Sequence, residues 1–225
     1  IFSIPGTYDY QCDPHTGMGM VGTVVVQSNT PNALTLTGIM DLTIPSSLAS
    51  ISGGAQGKAI QLTANQNISD LSVYGVGVAN NGGGTDGQEY TFPSISVNAG
   101  EHVFLARDTA AMSAYFGSCY SVFDHYLVAN SSISQNGDDA IELFFNGNVI
   151  ETFGDVNVDG TGEPWEYMDS WAWKDTAASN VGNWVYGGVN CSDGSTTTQS
   201  SSCPFPLCPA PSTDLVITAE VCGNT

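Results

Sequence analysis

The sequence predicts an all-β fold built as a β-sandwich, and three observations predict it. Short runs of β-branched and aromatic residues recur along the chain, each closed by Gly, Asn, Asp or Ser, which is the punctuation of many short strands. Asn146-Gly147 stands between two such runs, at 141–145 and 148–153. Asn-Gly tolerates the positive φ of a two-residue hairpin turn. Helical spacing is confined to a turn or two at 109–115 and a short stretch near 165–173.

Taken in order, residues 1–28 alternate and end in a strand, Gly22-Thr-Val-Val-Val-Gln27. A polar turn, Ser28-Asn-Thr-Pro-Asn32, separates them from the body of the chain. Strands are expected at 33–42, 58–63, 90–97, 102–106, 126–128, 140–145 and 148–153. Together with the intervening loops these fill a middle domain at 33–190. Residues 191–213 hold Ser, Thr, Cys and Pro in long runs and are expected to be a linker stapled by cysteines. Residues 214–225 contain one more strand, Asp214-Leu-Val-Ile-Thr-Ala-Glu-Val-Cys222, with the pattern of Ala33-Leu-Thr-Leu-Thr-Gly-Ile-Met40. It is expected either to open a further domain or to pair with the one present.

The 225 residues carry 22 acidic side chains against three basic ones, Lys58, Arg107 and Lys174, for a net charge of −19. Aromatic and β-branched residues are plentiful, so this is a folded acidic domain rather than a disordered acidic tail. Phosphate binding needs Lys and Arg, which excludes a nucleic-acid partner. No apolar run approaches the ~18 residues of a membrane span. The six cysteines, Cys12, Cys119, Cys191, Cys203, Cys208 and Cys222, lack the paired CxxC spacing of a zinc ribbon. Cys119, Cys191, Cys203, Cys208 and Cys222 are the disulfide candidates, with the pairing open. Disulfides imply an oxidising compartment, so the chain is expected to be secreted, extracellular or at the cell surface. It starts at Ile1 without a leader, consistent with a removed signal or a start inside a longer protein. The sequons at Asn67, Asn130 and Asn190 are glycosylation sites if the route is eukaryotic.

The sharpest chemical motif spans residues 155–166. Asp155, Asn157, Asp159, Gly160 and Glu166 satisfy D-x-[DN]-x-[DN]-G-x5-E. Calcium is a hard cation that takes oxygen ligands, and in such a loop alternate side chains turn inward. Asp155, Asn157 and Asp159 would supply oxygens, Thr161 its carbonyl, Glu163 a water-mediated contact and Glu166 a bidentate carboxylate. Calcium is therefore an expected cofactor, at affinities of about 10⁻⁴–10⁻³ M for an extracellular module. An Asx-rich turn is the alternative for the same spacing. Trp165, Tyr167, Trp171, Trp173 and Trp184 follow closely and are expected to pack in the core, with a carbohydrate or partner platform as the alternative.

Two resemblances rest on these residues. The runs Leu34-Thr-Leu-Thr-Gly-Ile-Met-Asp41, Lys58-Ala-Ile-Gln-Leu62 and Ile68-Ser-Asp-Leu-Ser-Val-Tyr-Gly75, then Asn136-Gly-Asp-Asp-Ala-Ile-Glu-Leu143 and Phe153-Gly-Asp155, resemble the lamin-tail domain. That resemblance implies an immunoglobulin-like sandwich serving as a binding or scaffolding module. Residues 6–26 contain Cys12-x2-His15-x4-Met20 and resemble the last two strands of plastocyanin and its relatives. There thiolate, imidazole and thioether ligate a type 1 copper, which implies Cys12, His15 and Met20 as copper ligands. The family's other histidine lies upstream of this motif, and the remaining histidines here are His102 and His125.

HExxH, GxSxG and P-loop motifs are absent. Asp138-Asp139 is expected to be a turn and strand start rather than an acid pair. The sequence thus points to a non-enzymatic extracellular scaffold or adhesive module stabilised by calcium. Its expected partners are copies of itself in an oligomer or filament and cell-surface or matrix components. A copper electron-transfer protein with an attached scaffold and a carbohydrate-binding module are the alternatives.

Overall fold

A computed structural model of the chain describes residues 6–26, 30–174 and 183–208. The expected strand within 214–225, together with Cys222, lies outside the described residues. The described part is strand-rich, as the alternating runs require. β1 (Gly6–Gln11) and β2 (Val21–Val26) form an antiparallel ribbon. β3 (Leu34–Asp41), β4 (Lys58–Ala64), β7 (His102–Ala106), β8 (His125–Val128), β11 (Ser170–Lys174) and β12 (Trp184–Tyr186) build a six-stranded sheet in the order β12-β11-β3-β4-β7-β8. β5 (Tyr74–Ala79), β6 (Tyr90–Thr91), β9 (Ala140–Phe145) and β10 (Asn148–Phe153) build a four-stranded sheet, β10-β9-β5-β6. The ladders are antiparallel except β7–β8, which is parallel.

The two larger sheets share one core. Leu34, Leu36 and Ile39 of β3, Ile60 and Leu62 of β4 and Val103 and Leu105 of β7 meet Tyr74, Val76 and Val78 of β5 and Ile141 and Leu143 of β9. Strict alternation would put Gly38 inward after Leu34 and Leu36. A bulge between Leu36 and Gly38 inserts one residue and turns Ile39 inward instead. Gly38 then faces outward, where an added Cβ would lie 2.9 Å from Gln61 Oε1 and 3.3 Å from Phe205 Cζ.

The outer face of the six-stranded sheet has a second core. Met40, Ala59, Phe104, Ala106 and Trp171 are covered by α1 (Thr109–Phe116), Phe123 and Phe205. The stretch 191–213 was expected to be a linker, and its described part is not one. Phe205 and Cys208 are fully buried, and Trp171 Nε1 donates to Cys203 O at 2.8 Å. Disulfides Cys119–Cys208 and Cys191–Cys203 hold this arm on the sheet. The hydroxyl-rich composition misled because Ser192, Ser195 and Thr198 are buried as hydrogen-bonded capping groups rather than solvated. The short helix expected near 165–173 is also replaced, by turns leading into β11.

Asn146 and Gly147 have φ of 50° and 75°, and the β9–β10 hairpin closes on them as expected. The helix at 109–115 is present as α1. No helix among the described residues is long and apolar enough to cross a membrane.

Candidate functional site

The loop at 155–166 leaves β10 and docks against the turn at 80–84, where the Gly84 amide donates to Val156 O at 2.8 Å. Its acids cap their own turns. Asp155 Oδ1 accepts from Asn157 N at 2.9 Å, Asp159 Oδ1 from Thr161 N at 3.1 Å, and Glu166 Oε2 from Gly162 N at 2.8 Å. The Thr161 hydroxyl donates to Asp138 Oδ2 at 2.8 Å. Gly160 is required for close approach rather than for a positive φ. An added Cβ there would stand 2.5 Å from both Asp138 O and the Trp165 ring. Gly162 takes the positive φ, 80°. The geometry is a chain of Asx-type turns, with Glu166 folded back onto the Gly162 amide. Among the described residues, no group of three or more His, Cys, Asp or Glu is arranged to hold a metal ion.

The neighbouring aromatics pack inward, as core residues do. Tyr167 is fully buried and donates to Asp139 O at 3.0 Å, and Trp165 meets Phe153 edge-on. Asp139, expected as a turn residue, is fully buried. It accepts from Asn81 N at 2.8 Å and Asn136 N at 3.0 Å. Burial pushes its carboxyl above the ordinary aspartate range, against these hydrogen bonds.

The N-terminal ribbon brings the three expected copper ligands onto one loop. A 3₁₀ turn at Asp13–Met18 joins the strands. Cys12 N donates to Met20 O at 3.0 Å and His15 N donates to Cys12 O at 2.9 Å. Cys12 Sγ and His15 Nδ1 converge to 3.3 Å. Met20 is 54% exposed on the same loop. A soft sulfur pair with an imidazole is a donor set that suits copper. His102 and His125 are engaged elsewhere. His102 Nδ1 lies 2.9 Å from Thr63 Oγ1, and His125 Nε2 lies 2.8 Å from Glu101 Oε2.

The basic side chains are bound within the fold. Lys58 pairs with Asp41 at 2.9 Å, Lys174 pairs with Glu151, and Arg107 Nη1 donates to Ile133 O at 2.9 Å. The sequence left these contacts unread. The signal available was the scarcity of cations itself, since three among 22 acids are readily taken up by buried partners. Asn67, Asn130 and Asn190 are exposed. Asn67 Oδ1 accepts from Ala99 N at 2.8 Å, and Asn130 and Asn190 sit at φ of 49° and 61° in turns.

A family model described as copper binding proteins, plastocyanin/azurin family, matches residues 1–27. No solved structure matches the chain.

Proposed function

We propose that this chain is an extracellular structural or adhesive module, without catalytic activity, that assembles with copies of itself into a filament or surface layer and takes up calcium. The observation that carries this reading is the state of the sheet edges. Among the described residues, β8 ends the six-stranded sheet with Tyr126 and Val128 43% and 47% exposed. Among the same residues, β12 ends its other side with Val185 and Tyr186 at the surface. Open edges with exposed apolar side chains are templates for strand addition. Two disulfides accord with an oxidising setting outside the cell. The lamin-tail resemblance of 33–190 supports a scaffolding role. Calcium would be held by Asp155, Asn157, Asp159, Thr161, Glu163 and Glu166, and its binding would offset the repulsion among acids that no exposed cation screens. Surface or matrix components are the further partners.

The test acts on the β8 edge. The Ala129 amide donates inward to Ala106, so the Val128 amide one residue earlier faces the open side. Val128→Pro removes that donor where proline is tolerated. Negative-stain imaging is expected to show assemblies for the native chain and their loss in the variant, with an unchanged melting temperature. Native material without assemblies would refute the filament.

A second reading has its own observation. The family match over residues 1–27 and the approach of Cys12 to His15 favour a copper centre at this end of the chain. Cys12, His15 and Met20 would hold the ion, which when bound supplies one-electron transfer. The loop residues fix the spacing of the donors through the Cys12–Met20 and His15–Cys12 backbone bonds. Metal analysis separates the readings: calcium without copper, and no intense blue absorption on adding copper, favours the scaffold. Blue absorption that Cys12→Ser abolishes favours the copper centre.

A further inference from the structure

Asp41 closes β3 and Lys58 opens β4, and the antiparallel register places them directly opposite. Opposed side chains in such a ladder lie about 5 Å apart at Cβ, so the long lysine folds over its partner. Nζ reaches Asp41 Oδ1 at 2.9 Å, and the side chains are only 15% and 13% exposed. Nζ also donates to Gln135 O. The Gln135 side chain donates to Met40 O and Ala59 O at 3.3 Å each, which clamps the backbone on both sides of the pair. The buried Asp139 stands within electrostatic reach of Lys58.

Removing an ammonium and a carboxylate from water costs several kcal/mol per ion. Moving one proton across their hydrogen bond gives a neutral amine beside a neutral acid. That is the reactant pair of amide condensation, and fixed contact replaces a bimolecular encounter. Burial raises the Asp41 carboxyl above its ordinary range, against the opposing effect of Lys58, which favours the neutral acid.

We propose that Lys58 and Asp41 form an intramolecular isopeptide bond that cross-links β3 to β4. Lys58 Nζ attacks Asp41 Cγ, so the Nζ–Cγ bond forms and the bond from Cγ to the hydroxyl oxygen breaks. The departing hydroxyl takes the proton that the nitrogen sheds and leaves as one water. No electrons change hands. One positive and one negative charge disappear together, so the net charge is unaltered. The link also removes one of three trypsin-type sites.

Mass spectrometry of the purified full chain, reduced and denatured, decides the linkage. The expected mass is one water below that of the sequence, and the proteolytic digest yields one branched peptide joining position 41 to position 58. A mass equal to that of the sequence overturns the proposal. Lys58→Arg keeps the charge and removes the nucleophile, and it is expected to restore the full mass. A deficit that persists there also overturns the proposal.

Discussion

Asp108 shows how much one side chain can hold. It is buried ahead of α1 and accepts from Ala111 N at 2.9 Å, from Ser50 N and Oγ at 2.6 Å each, and from Ile51 N at 3.2 Å. It caps the helix and ties down the 50s loop at once. Asp108→Ala is expected to cost about 2–4 kcal/mol in urea unfolding, the sum of a cap and bonds to a charged group. Glu101 gives the pH signature. A hydrogen bond from His125, then the Asn98 side chain and amide, hold its carboxyl down to about 2. Because the folded value lies below the unfolded one, this contribution is full above about pH 4.3 and is lost as pH falls toward 2. The melting-temperature gap between wild type and Glu101→Gln is expected to narrow over that window; a constant gap would contradict the assignment. The Asx-type turns at 155–166 were legible because side-chain type and spacing are one-dimensional facts. The burial of Asp139 was not, since its partners Asn81 and Asn136 come from different loops.

The elements that announced themselves were those with a local cause. The hairpin at Asn146-Gly147 needs a positive φ, and β7, β9 and β10 are short runs of β-branched, aromatic and aliphatic residues. β5 was harder to see because Gly75 and Gly77 interrupt it. Added Cβ atoms there would meet Tyr90 O at 2.4 Å and Gly87 O at 2.3 Å, so the glycines serve close backbone approach. β11 looked helical because it is apolar on both faces, with Trp171 and Trp173 on the outer core and Ala172 on the inner one. The C-terminal arm looked like a linker because nothing local reveals that Phe205 is buried. The disulfides make its docking measurable. Cys119–Cys208 spans 89 residues and Cys191–Cys203 spans 12. The loop-entropy model gives about 4.6 and about 2.8 kcal/mol. The Cys119→Ala/Cys208→Ala pair is thus expected to lower the urea midpoint more than Cys191→Ala/Cys203→Ala. The reverse order would mean that the arm's local turns matter more than its long-range closure.

For the molecule as a whole, a net charge of −19 with each basic side chain engaged inside the fold leaves an acidic exterior. Self-repulsion of that kind destabilises a compact state and is relieved by ions. Melting is expected to shift upward on adding about 1 mM calcium. The shift should exceed that from sodium at equal ionic strength and should fall when Asp155, Asp159 and Glu166 are replaced by the amides. Equal shifts with both ions would reduce the effect to screening. Composition made the sandwich and the oxidising setting legible. Assembly depends on edges, and an edge exists only once strand order is known, so β8 and β12 could not be singled out from the chain alone. Sedimentation velocity of the native full-length chain, in chelator and then with calcium, tests the scaffold reading most directly. Species heavier than the monomer are expected, growing with calcium and vanishing in Val128→Pro; a single monomeric boundary under both conditions would overturn the scaffold reading.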